Sequence, residues 1–93
     1  MRTISYGSRF KKDFKRENRG LHAKILVAEL KAATDILRAD EPLPARYADH
    51  VLSGKWSGDR DCHIKPDLVL IYRKPDDRTL QLVRLGSHSE LSL

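Results

Sequence analysis

Cysteine is nearly absent from this sequence. Cys62 stands alone, which excludes an internal disulfide, and nothing points to an oxidising compartment. No apolar run comes near the ~20 residues that span a bilayer, and the opening residues lack the apolar core of a signal peptide. A cytoplasmic protein with no membrane contact is expected. Two catalytic signatures are missing as well: there is no G-x-S-x-G elbow for a serine nucleophile and no H-E-x-x-H pair for zinc. Repeats, low-complexity tracts and linker-like stretches are absent, so residues 1–93 are expected to form one domain. At this length one core of about two layers is expected.

What the chain has in excess is positive charge. Its 18 Lys and Arg outnumber 13 Asp and Glu, for a net charge of +5. The excess gathers early, in Arg9, Lys11, Lys12, Lys15, Arg16 and Arg19. A basic face attracts polyanions, either nucleic acid or an acidic protein; a solvated helix face is the plainer reading.

Taken in order, Arg2–Tyr6 alternates and reads as a first strand. Ser8 is placed as the N-cap of a helix, on which Phe10 and Phe14 share one face as core anchors. Gly20 ends or interrupts that helix. Leu21–Arg38 reads as a second helix, with Ile25, Leu26, Leu30, Ala33, Ile36 and Leu37 as its apolar stripe. His22, at its start, is given no functional role. The two helices are expected to form a hairpin on one face of a sheet. Pro42 and Pro44 mark a loop. His50 lies in a segment that enters a short edge strand, and the connector Gly54–Gly58 carries Lys55 and Trp56. Trp56 suits stacking on a base, worth ~1–3 kcal/mol, but packing is the commoner fate of a lone tryptophan. After a turn at Pro75–Arg78, Thr79–Leu85 forms the last strand. This order predicts an α+β fold: an N-terminal strand and helical hairpin packed on a twisted antiparallel sheet, whose other face is partly open and polar.

The chain is organised around Asp59–Tyr72, DRDCHIKPDLVLIY. Leu68–Tyr72 is five apolar residues in a row, as expected of a central strand covered on both faces. The strand before it, joined by a tight turn at Pro66–Asp67, alternates. Cys62 and Ile64 take one face; Asp61, His63 and Lys65 take the other. His50 and His88 lie just beyond the flanking segments. One reaction that uses such a set is RNA scission by the adjacent 2′-hydroxyl. It needs a base for that proton, an acid for the leaving 5′-oxygen and a cation against the phosphate charge. Histidine suits either proton transfer near neutrality, and the planar fork of arginine suits phosphate. Three histidines and an aspartate also suit zinc, but they stand far apart in the chain. Each histidine by itself reads as polar surface. Composition and spacing alone describe a small basic α+β domain open to RNA binding.

Four stretches together are more specific: H-x-L-x-G-x-W-x-G from His50, R-D-x-H-x-x-P-D from Arg60, the apolar strand ending in Ile71-Tyr72, and R-x-G-x-H from Arg84 to His88. In this combination, and over nearly its whole length, the chain resembles the YafQ-type toxins of the RelE/ParE superfamily. The resemblance implies a RelE/ParE-like, microbial RNase-like fold and the toxin half of a type II toxin–antitoxin module. It implies cleavage of mRNA on the ribosome, without metal or cofactor, that stops translation. It implies an antitoxin partner, expected to bring an acidic, partly disordered segment, with operator DNA met only through that antitoxin. Carried over residue by residue, the family's catalytic set falls on His50, His63, Asp67 and His88. His88 would be the general acid, Asp67 or His50 the base, and His63 the orienting group. Arg84 would meet the phosphate charge, and Lys55, Trp56, Arg60, Lys65 and Arg73 complete the expected RNA contacts. Asp61 and Arg60 match the pattern, and an ion pair fixing the strand suits them equally. One position departs from it: the aromatic that commonly follows the leucine of the C-terminal H-x-x-L is Ser92 here. Two other readings stay open, a ParE-like inhibitor of DNA gyrase that cleaves nothing and a decayed toxin that only binds its antitoxin. Three histidines argue against the first.

Overall fold

The run Leu68–Tyr72 is wholly buried and lies at the middle of a five-stranded sheet. The computed structural model describes residues 1–93. Its strands are β1 (Thr3–Tyr6), β2 (His50–Val51), β3 (Arg60–Lys65), β4 (Leu68–Asp76) and β5 (Thr79–Gly86), ordered β1-β5-β4-β3-β2. The helices are α1 (Ser8–Glu17), α2 (Leu26–Arg38) and the short α3 (His88–Leu91). Single 3-10 turns lie at Ala45–Tyr47 and Gly54–Trp56. No helix is long and apolar enough to cross a membrane.

Alternation along β4 builds two cores. Leu68, Leu70 and Tyr72 face the helices and pack in a cluster with Phe10, Leu26 and Leu37. Val69 and Ile71 face the other way and pack with Leu91 of α3, flanked by Leu52, Trp56 and Val83. Each large aliphatic side chain so enclosed contributes about 1.5–3 kcal/mol.

The α+β layout is as expected, but three local expectations change. Ser8 is the first helical residue rather than the cap, which is Gly7 and offers no side-chain bond. The second helix starts at Leu26, because residues 18–25 form turns; Leu21 lies before it, and Ile25 is exposed instead of joining the stripe. The sheet is mixed, not wholly antiparallel, since β1 runs parallel to β5 with Thr3 opposite Thr79. A parallel pair needs a long crossover, and two helices and three strands separate these two.

β1 stops halfway along β5, and α1 takes over the exposed edge. Gly7 N–H donates to the Leu82 carbonyl at 2.9 Å; a Cβ at Gly7 would sit 3.0 Å from that oxygen, so glycine suits the crossing. Beyond it, Asp13 accepts the Leu85 N–H at 3.0 Å and Arg16 donates to the Leu85 carbonyl at 2.8 Å. Arg84 closes the arrangement, bonding Asp13 through Nε at 2.7 Å. Burial pushes the Asp13 carboxyl up, but Arg84 and the Leu85 amide outweigh it and hold it below its ordinary value.

Candidate active site

The face away from α1 and α2 carries the histidines. β3 presents Asp61 and His63 there, and β2 pairs with it so that His50 lies directly opposite Asp61. His88 opens α3, a four-residue helix closed at both ends. Ser87 and Glu90 form a capping box at its start, through bonds of 3.1 and 2.8 Å. At its end Leu93 N–H donates to the His88 carbonyl at 2.9 Å and Ser92 N–H to that of Ser89 at 3.2 Å, with Ser92 left-handed at φ 58°. Leu91, buried beneath, anchors the turn. His88 is thereby held with its ring 5.0 Å from that of His63, edge to face at 80°.

His50, Asp61 and His88 line one cleft of about 660 Å³, together with Lys55, Trp56 and Ser92. His50 Nδ1 bonds the Ala48 carbonyl at 2.9 Å, and Asp61 Oδ1 lies 3.0 Å from the same nitrogen. The Asp61 side chain is 2% exposed and that of His50 56%. The His50 Nδ1 hydrogen bond goes to Ala48, so Asp61 Oδ1, although 3.0 Å away, is a buried atom without a hydrogen bond; His63 Nε2 is the other, and both belong to this cluster. Burial pushes the Asp61 carboxyl up; His50, His63 and His88 pull it back without cancelling the rise. Trp56 is half-buried against the Val69–Ile71–Leu91 cluster and donates through Nε1 to the Leu91 carbonyl at 3.3 Å. It forms a wall of the cleft, with the Lys55 ammonium 5.6 Å from its ring centre.

The other residues expected at the site lie elsewhere or are otherwise engaged. Asp67 sits in the β3–β4 turn, where its carboxylate meets His22 Nε2 at 2.7 Å; that bond holds the carboxyl below its ordinary value. Arg84 is paired with Asp13, Arg60 with Asp49 at 3.0 Å, and Arg73 with the buried Asp59 at 2.6 Å. Tyr72 also donates its hydroxyl to Asp49. Lys65 was expected beside His63, but a bulge between the two shifts the register, and Lys65 lies 3.5 Å from Glu29 of α2. Lys55 has no acidic partner. Asp61 shares the face of His63 as alternation predicts, and it stands in the cluster beside His50 rather than in an ion pair with Arg60. No three of the His, Cys, Asp and Glu side chains are arranged to hold a metal ion.

Comparison with known proteins gives a consistent picture. Residues 2–93 match the family model described as bacterial toxin of type II toxin-antitoxin system, YafQ. The mRNA interferase toxin YafQ of Escherichia coli (strain K12) is 38% identical over 90 residues, covering 97% of this chain and 95% of that protein. Among solved structures, a metal-bound toxin from Helicobacter pylori superposes with a TM-score of 0.81 at 41% identity, over 98% of this chain and 99% of its own. The E. coli DinJ-YafQ complex contributes a match with a TM-score of 0.77 at 36% identity, over 98% of both chains.

Proposed function

This chain belongs to the YafQ family of bacterial type II toxins, and we propose that it is a cytoplasmic endoribonuclease that cuts mRNA on the ribosome and stops translation. One observation carries the reading: His50 and His88 line a single cleft, with His63 behind His88. In-line cleavage places a base and an acid on opposite sides of the phosphorus. The base removes the 2′-hydroxyl proton, the 2′-oxygen bonds to phosphorus, and the P–O5′ bond breaks. Protonated His88 gives its proton to the departing 5′-oxygen, leaving a 2′,3′-cyclic phosphate and a 5′-hydroxyl. His63 fixes the His88 ring from its edge. Lys55 supplies the cation against the phosphate, because Arg84, Arg60, Lys65 and Arg73 are engaged by acids. Trp56 offers its exposed part to a base.

The partner that silences this activity is an antitoxin, and α1, α2 and β1 offer it a groove of about 750 Å³. Its floor is apolar, with Tyr6 and Val27 more than half exposed, and Lys11, Lys15, Lys31 and Arg38 line it. An acidic segment with an apolar stripe, ordered on binding, matches that surface. Lys11→Glu with Lys15→Glu should prevent co-purification with the antitoxin while leaving toxicity intact. Unchanged co-purification would place the antitoxin elsewhere.

Primer extension on a defined mRNA in a reconstituted translation system tests the nuclease. Cuts that require ribosomes are the expected result. Intact mRNA alongside DNA-damage signalling in induced cells would instead establish the gyrase-inhibitor reading.

A further inference from the structure

Asp61 is the most enclosed charged group facing the cleft, and the reaction as written leaves it unused. We propose that Asp61 is a positioning residue that holds His50 with its proton on Nδ1, so that Nε2 of His50 is the general base; the second half of this rests on the nuclease reading. The groups around the carboxylate are few. His50 faces it from β2, His63 lies on β3 itself, His88 comes from α3, and Asp49 lies just before β2. Of the side-chain nitrogens, His50 Nδ1 is the one found within 3.0 Å of its oxygens. The Ala48 carbonyl meets that same nitrogen at 2.9 Å.

The Ala48 carbonyl can only accept, so the proton lies on Nδ1; the Asp61 carboxylate, 3.0 Å from that nitrogen but outside hydrogen-bond geometry, favours the same tautomer through its charge. The lone pair of a neutral His50 then lies on Nε2, on a side chain more than half exposed at the cleft. When Nε2 takes the 2′-hydroxyl proton, the imidazolium forms beside a carboxylate already in place and already desolvated. That is the role an aspartate plays behind a catalytic histidine: it fixes the tautomer and meets the charge that develops. Asp67, the other candidate base, lacks these features. It is exposed, bonded to His22 and held at a lower affinity for protons, which weakens it as a base.

Nitrogen-15 correlation spectra of histidine-labelled wild-type protein near neutral pH read the His50 tautomer without RNA or ribosome. An Nδ1–H form is expected; an Nε2–H form overturns the proposal, and needs no variant to do so. In Asp61→Asn, the Nδ1–H signature should weaken and the single-turnover rate on ribosome-bound mRNA fall ~10²–10⁴-fold, with the half-saturating toxin concentration unchanged. His50→Ala combined with Asp61→Asn should be no slower than His50→Ala alone. Multiplied losses in the double variant would mean the two act independently and would overturn the pairing. Failure of the nuclease reading shows separately, as wild-type protein with the expected tautomer that cuts nothing.

Discussion

The two faces of the sheet treat polar groups in opposite ways. On the helix-covered face, buried acids are saturated: Asp13 accepts from Arg84, Arg16 and the Leu85 amide. The half-buried Asp49 likewise takes the Tyr72 hydroxyl and Arg60. On the histidine face, Asp61 Oδ1 and His63 Nε2 are buried with nothing bonded to them. The apolar content differs in the same sense, 14 buried residues in the cluster under the helices against three in the cluster under α3. A buried polar atom without a partner costs about 1–3 kcal/mol. The fold therefore places its stabilising contacts on one face and tolerates unpaired groups on the other, where chemistry needs free lone pairs and protons.

The largest effect that should separate the faces is His88→Ala. It removes the proposed acid while leaving Leu91 and the capping box in place. The cleavage rate should fall ~10²–10⁴-fold and growth arrest should disappear, with the melting temperature nearly unchanged. A variant as toxic as the parent would break the assignment of chemistry to this face. Asp13→Ala should do the reverse. Removing one partner of a buried pair costs about 3–5 kcal/mol, seen as a lower urea midpoint, while toxin that remains folded keeps its cleavage rate. Arg84→Gln sorts the same way: loss of stability with an intact rate supports a structural arginine, whereas a lost rate in a stable protein restores it to the phosphate.

Much of this division can be read from residue order. The unbroken run Leu68–Tyr72 announces a strand buried on both sides, and alternation in β3 places Asp61 and His63 together. The four-stretch motif picks out both cleft histidines, and His63 beside His88, before any geometry. What order cannot supply is pairing across the fold. A bulge turns Lys65 from the histidine face to Glu29. Arg84 reads as a free cation until α1 brings Asp13 to the open edge of β5, 71 residues away in sequence. Asp67 falls where the family motif places a candidate base, yet the turns after α1 deliver His22 to it. In each case a charged residue's partner lies on an element whose approach depends on the whole fold.

The pH dependence of stability should sharpen the comparison at smaller scale, because the two acids shift in opposite directions. Asp13 is held below 3.8, so its contribution is fully present above that pH and is lost as pH falls through its native value. Asp61 is raised above 3.8, so the native state binds its proton more tightly than the unfolded chain. Its contribution is favourable in acid and falls as pH rises from 3.8 through its native value. Asp61→Asn should therefore be more stable than the parent at pH 7, because it removes a desolvated charge, and the difference should shrink below pH 3.8. The same variant that loses catalysis would gain stability. Thermal melts of both proteins between pH 3 and 8 check this, and a parent that is the more stable at pH 7 would contradict it.

The smallest effect concerns the end of α3. Ser92 occupies the left-handed position that closes the helix, φ 58°, a conformation in which a Cβ is unfavourable. Ser92→Gly should raise stability by about 0.5–1 kcal/mol if relief there exceeds the extra freedom of the unfolded chain. It should leave the cleavage rate unchanged, because the bonds that hold His88 come from the backbone and from the Ser87 and Glu90 side chains. Ser92→Phe tests the other property of this position, the absence of an aromatic beside the cleft. A ring could stack on a base, worth ~1–3 kcal/mol, but a bulky side chain is strained at positive φ. The expected outcome is tighter RNA binding in a less stable protein. Tighter binding without lost stability would mean that the end of α3 rearranges to accept the ring, and that His88 is held by less than the closed four-residue helix suggests.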